Sequence, residues 1–106
     1  MLIAYKTLVR GKAIIEVAQG ERVTASQGKR ATWGILESED GYELIHIPTY
    51  LPLDITFLSL RAARIAGHFL SQIEELDTMY IPSDWRYYRE LAAELIFGNL
   101  RREDFV

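Results

Sequence analysis

Ala31-Thr32-Trp33-Gly34-Ile35-Leu36-Glu37, then Ser38-Glu39-Asp40-Gly41, then Tyr42-Glu43-Leu44-Ile45-His46-Ile47: two apolar, partly alternating runs flank an Asp-Gly pair. That pair is the strongest short signal for a β-hairpin, because glycine supplies the positive φ that a tight turn needs. Pro48 ends the second run, having no N–H to donate to a ladder. Upstream, residues 13–18 and 22–26 flank Gln19-Gly20 and read as a second hairpin. Residues 2–9 stand open between two states. They form a strand before the Arg10-Gly11-Lys12 turn, or a helix with Leu2, Tyr5, Leu8 and Val9 on one face. Gly11 argues against one long helix running on to Ala18.

Downstream the period lengthens. Asp54 is a good N-cap, with Leu53 and Leu58 at the two positions of a hydrophobic staple. Ile55, Leu58, Ala62, Ile65, Ala66, Phe69, Ile73 and Leu76 then recur at helical spacing, with Arg61, Arg64, His68 and Glu75 on the face left for water. After a turn, Ser83 caps a second helix carrying Trp85, Tyr88, Leu91, Ala92, Leu95 and Ile96, with Gly98 just past its end. Strands first and helices after predict an α+β fold. It has an N-terminal antiparallel β-sheet of about four to five short strands over residues 2–47. The sheet packs on a C-terminal hairpin of two helices over 54–76 and 83–97, with a short tail at 99–106.

The totals fit one domain, 1–106. The chain is 49% hydrophobic and 25% charged, ordinary values for a globular protein. Its length suffices for a core without staples. It has no cysteine, which excludes a disulfide scaffold, a thiolate zinc site and a cysteine nucleophile, and fits a reducing compartment. No apolar run approaches a membrane span, and the first residues lack the order of a signal peptide. A soluble, cytoplasmic protein with no membrane contact is expected. The net charge of −3 conceals a split. Residues 1–36 carry six basic and two acidic groups, a balance of +4; the remainder carry six and thirteen, a balance of −7. Such a split serves an anionic partner, or complementary faces that meet in a homo-oligomer, or nothing beyond a mixed surface.

Catalytic templates fail. There is no G-x-S-x-G elbow and no H-E-x-x-H; the two histidines, His46 and His68, stand 22 residues apart on different expected elements. Gly28-Lys29-Arg30 lacks both the first glycine and the Ser or Thr of a phosphate loop. Asp54 and Ser83-Asp84 already place carboxylates at the helix starts, where an anion would meet like charge. Glu74, Glu75 and Asp77, and Glu90 with Glu94, read as solvated charge. No metal, cofactor or catalytic residue is expected.

Two patterns concern contact. Ser59, Ala63, Gly67 and Ser71 put a small residue at every fourth position of the first helix, a ridge another backbone could approach closely. Gly67 costs about 1 kcal/mol against alanine there, so something offsets it. The occupant is either the second helix, with Trp85 and Tyr88 filling the groove, or another protein. Trp85, Tyr87 and Tyr88 cannot all face inward, and an outward Tyr87 beside Arg86 has the composition of an interface hot spot. The leading expectation is a non-enzymatic regulatory or accessory module that works through protein contacts, as a homodimer, using Ser59, Ala63, Gly67, Ser71, Arg86 and Tyr87. An alternative is a nucleic-acid accessory protein with Lys12, Arg22, Lys29 and Arg30 as its basic face and Trp33 as a stacking platform. The pI near 5.3 weighs against it. A third is a ligand-binding or enzymatic cleft between sheet and helices using Tyr42, His46, Arg61 or Arg64.

Overall fold

A computed structural model describes residues 1–23, 32–72 and 85–99, apart from the side chains of Trp85 and Tyr88. Five strands come first: β1 (Leu2–Val9), β2 (Lys12–Arg22), β3 (Trp33–Ser38), β4 (Gly41–His46) and β5 (Leu51–Phe57). Two helices follow, α1 (Leu60–Ser71) and α2 (Trp85–Asn99). The strands form one antiparallel sheet in sequence order, a plain meander, so the expected α+β architecture is present.

The hairpin forms where the Asp-Gly pair marks it, but its turn residues are Glu39 and Asp40: Gly41 is already the first residue of β4, opposite Ser38, and Trp33 lies opposite His46. Residues 2–9 are a strand, each of the eight paired with β2. The turn that joins them has φ of 52° at Arg10 and 77° at Gly11, the double positive φ of a type I′ turn. Gln19-Gly20 makes no turn. β2 runs straight through it and changes partner there, pairing with β1 up to Gln19 and with β3 from Gly20 to Arg22. Gly20 is small because Ile3 crosses it: a Cβ at Gly20 would lie 2.6 Å from Ile3 Cδ1, and one at Gly34 on the neighbouring strand would lie equally close.

The first helix begins later than the sequence predicts. Residues 51–52 and 56–57 pair with β4 on either side of a register shift, and Asp54, expected as an N-cap, sits inside β5 in the irregular stretch between them with φ of 63°. Short polar side chains bond the local backbone, which favours helix caps and left-handed φ alike, so the residue type alone does not separate the two. The cap is Ser59, whose Oγ accepts from the Ala62 N–H at 3.0 Å. Leu58, expected in the staple, is exposed. The expected extension to Leu76 and the Ser83 cap lie outside the described residues, while α2 passes through Gly98 to end at Asn99.

Two apolar clusters lie on opposite faces of the sheet. The larger joins Trp33, Ile35, Leu44, Leu53, Ile55 and Phe57 to Ala62, Ala63, Ala66 and Leu70 of α1 and to Ala92 and Ile96 of α2. The smaller is Ile3, Leu36 and Ile45, flanked by Tyr5 and Ala18. The β1–β2 hairpin thus covers the face of the sheet that the helices leave, and the sheet curls until the Lys6 N–H donates to the Tyr50 carbonyl at 2.7 Å.

Candidate functional site: an exposed ribbon and the cleft beside it

The small-residue ridge is filled from within. Ala63, Gly67 and Ser71 are buried, and a methyl at Gly67 would collide with Val23 at the end of β2. At Gly67 the sheet takes up that groove, while the side chains of Trp85 and Tyr88, expected to fill it, lie outside the described residues. Ile65, expected inside, is exposed, because the stripe of smallest side chains lets the helix approach the strands most closely. Ser59 is spent on capping, and the Ser71 hydroxyl donates to the His68 carbonyl. Arg86 and Tyr87 do lie at the surface of α2, with Arg86 3.8 Å from Glu90.

The basic face does not assemble among the described residues. Lys12 and Arg22 are exposed at opposite ends of one strand, and Lys29 and Arg30 lie outside the described residues. Trp33 offers no stacking platform. It is 1% exposed, inward-facing on β3, and meets the His46 ring edge-on at 5.3 Å. The third set disperses too. His46 is buried with its Nδ1 2.7 Å from the Thr49 hydroxyl, and Arg64 grips the Glu21 carboxylate through two bonds of 2.6 and 2.7 Å. That grip holds the Glu21 carboxyl below its usual value.

What the structure gathers instead is an apolar ribbon face. Directly opposed residues share a face, so Leu2 and Gln19, Ala4 and Val17, Lys6 and Ile15, and Leu8 and Ala13 all point away from the core. Leu2 is 61% exposed, Leu8 73%, Ile15 48% and Val17 57%. Among the described residues β2 also has an open edge. Lys6 sends its N–H away from β2 to Tyr50, so Lys6 and Ile15 are a pair without mutual hydrogen bonds. By alternation the backbone groups of Ala13, Ile15 and Val17 also point outward from the hairpin. Because β3 meets β2 only at Gly20–Arg22, no strand among the described residues lies along that edge.

On the other side of the hairpin, β1 and β5 part around the Lys6–Tyr50 bond and leave a cleft of about 510 Å³. Tyr5 and Thr7 line one wall, Leu51, Pro52 and Asp54 the other, Leu36 and Ile45 the floor, and Arg89 reaches in from α2. The Arg89 guanidinium donates to Asp54 at 2.7 Å. Tyr5 donates its hydroxyl to Glu16 at 3.2 Å. Glu43, half-buried in the cleft, has no ion pair or hydrogen bond to its side chain among the described residues. Burial, with the carboxylates of Asp54 and Asp40 adding to it, raises its carboxyl above the usual 4.5.

Comparison with protein-family models, curated proteins and solved structures finds no match. The site is therefore read from its own chemistry. Among the described residues no three side chains are grouped to hold a metal ion, and no helix is long and apolar enough to cross a membrane. Sequence reading missed both features. A signal for the ribbon was present, since Leu2-Ile3 and Ile14-Ile15 put apolar side chains on both faces of their strands. None exists for the cleft, whose residues come from four strands and a helix.

Proposed function

We propose that this chain is a protein-binding module that self-associates through β2, edge to edge about a twofold axis. The carrying observation is that Ile15 and Val17 are exposed on the very strand along whose outer edge no strand lies among the described residues. Natural sheets blunt such edges with lysine, proline, a bulge or a covering segment. Between Ala13 and Val17 the only charge is Glu16, and no proline interrupts the run. Pairing two copies antiparallel about Ile15 sets Ala13 of one against Val17 of the other. Three outward backbone positions per strand are thereby satisfied, and the exposed side chains become cross-strand apolar pairs of the kind that stabilise sheets. An isolated two-stranded ribbon with a wet apolar face is marginal in water, and a continuous sheet is not. This reading keeps the homodimer expected from the sequence and moves its interface from α1 to β2.

Native mass spectrometry at low micromolar concentration, repeated on Ile15→Pro, tests it. The Ile15 N–H points away from β1, so proline there removes a donor from the open edge and none from the hairpin. The expected result is a dimer for the parent chain and a folded monomer for the variant. A monomeric parent, or a variant that stays dimeric, overturns the reading. Val17→Lys, on the exposed face, supplies a second variant should the proline disturb folding.

A further inference from the structure

We infer that the cleft between β1 and β5 binds a small organic cation, a protonated amine on an apolar body, with Glu43 as its counter-charge. The inference stands apart from self-association, since the β2 edge and the cleft lie on opposite sides of the β1–β2 hairpin.

The volume of about 510 Å³ falls within the range of small-molecule sites, and the floor of Leu36 and Ile45 with the Pro52 wall is apolar. Charge sets the class of ligand. The charged and titratable groups around Glu43 are Tyr5 and Lys6 on β1, Asp40 in the β3–β4 turn, Asp54 on β5 and Arg89 on α2. Arg89 is committed to Asp54, and Lys6 is exposed with no ion pair among the described residues. Glu43 is thus a partly desolvated carboxylate whose neighbours on two sides are acids. Withdrawing a carboxylate from water without a partner is costly, and among the described residues no side chain offsets that cost at Glu43. An ammonium group seated over the apolar floor would offset it. Tyr5, its hydroxyl fixed on Glu16, brings a ring to the same wall, and an ammonium is attracted to such a ring.

Other ligand classes fit less well. A hard cation such as calcium wants about six to eight oxygens, and of the two carboxylates that line the cleft one, Asp54, is committed to Arg89. An anion could reach the exposed Lys6, but inside the cleft it would face Glu43 and Asp54, while Arg89 is held by Asp54. The raised Glu43 carboxyl agrees with this reading, because an ammonium would favour its ionised form and compete with the proton.

The experiment titrates the full chain at neutral pH with 2-phenylethylamine and, separately, with 2-phenylethanol, which keeps the ring and removes the charge. Amide shifts of Thr7, Ile45 and Leu51 report occupancy. The amine is expected to bind about tenfold more tightly than the alcohol, the value of one charge-assisted hydrogen bond. Glu43→Gln should bring the amine down to the level of the alcohol and leave the alcohol unchanged. Equal affinity for the two probes, an amine affinity indifferent to Glu43→Gln, or shifts that bypass the cleft residues would each overturn the proposal. So would no saturable binding by either probe.

Discussion

A single methyl group at position 67 tests how closely α1 sits on the sheet. Gly67 faces Val23, whose two γ-carbons would both fall inside the normal contact distance of a Cβ added there. Valine is stiff about χ1 and cannot swing aside. Gly67→Ala therefore sets an overpacking cost of about 1–3 kcal/mol against a helix-propensity gain of about 1 kcal/mol. A net loss of stability is expected, read as a lower urea midpoint. Val23→Ala costs stability alone but should recover part of the loss when combined with Gly67→Ala, because the two share one contact. The sequence showed that Gly67 needed a reason and did not show which neighbour supplied it. Every fourth residue being small is a property of the helix, whereas the identity of what fills the groove is a property of the fold. Asp54 illustrates the same limit. Its chemistry suits a cap and a left-handed strand position equally, and only the pairing of β5 with β4 decides between them.

At the scale of elements, legibility followed turn chemistry. Asp40-Gly41 carried its signal in two adjacent residues, and the hairpin was located, though its register, with Glu39 and Asp40 between the paired Ser38 and Gly41, came from the structure. Arg10-Gly11 carried half of one. The turn holds Arg10 at φ of 52°, a region where asparagine is at ease and arginine is not. Arg10→Asn is expected to stabilise the β1–β2 hairpin by about 0.5 kcal/mol, with no change in oligomeric state, since the turn lies off the β2 edge. Thermal unfolding at fixed protein concentration would register it, and an unchanged or lower midpoint would count against the turn assignment. β5 was missed because its outward positions hold Pro52 and Asp54, both poor strand residues. Its inward positions Leu53, Ile55 and Phe57 alternate correctly, yet the downstream apolar residues at helical spacing overrode them.

The whole molecule feels two carboxylates in opposite senses. Glu21, held low by its hydrogen bonds from Arg64, contributes stability that is present above its usual value of 4.5 and is lost as pH falls through the lower folded value. Both partners are exposed, so that contribution is small. Glu43 runs the other way. Its folded carboxyl titrates above 4.5, so the native state holds the proton longer than the unfolded chain does. Stability therefore falls as pH rises from near 4.5 through the raised folded value, and stays lower above it. Glu43→Gln is expected to abolish that fall and to be more stable than the parent at neutral pH. Urea midpoints taken from mildly acid to neutral pH would check it, and parallel curves for parent and variant would refute it.

The Lys6–Tyr50 bond joins residues 44 apart, while every ladder in the sheet joins a strand to its immediate successor. A chain emerging from the ribosome can therefore assemble this sheet in the order in which it is made, each strand finding its neighbour already waiting. Closing the curl must await β5, and burying the larger cluster must await α1. The nascent meander consequently spends the interval between its fourth strand and its first helix with Trp33, Ile35 and Leu44 uncovered. At a synthesis rate of about 5–20 residues per second, that interval lasts seconds. It is the stage of the molecule's life at which a holdase has the most surface to grasp.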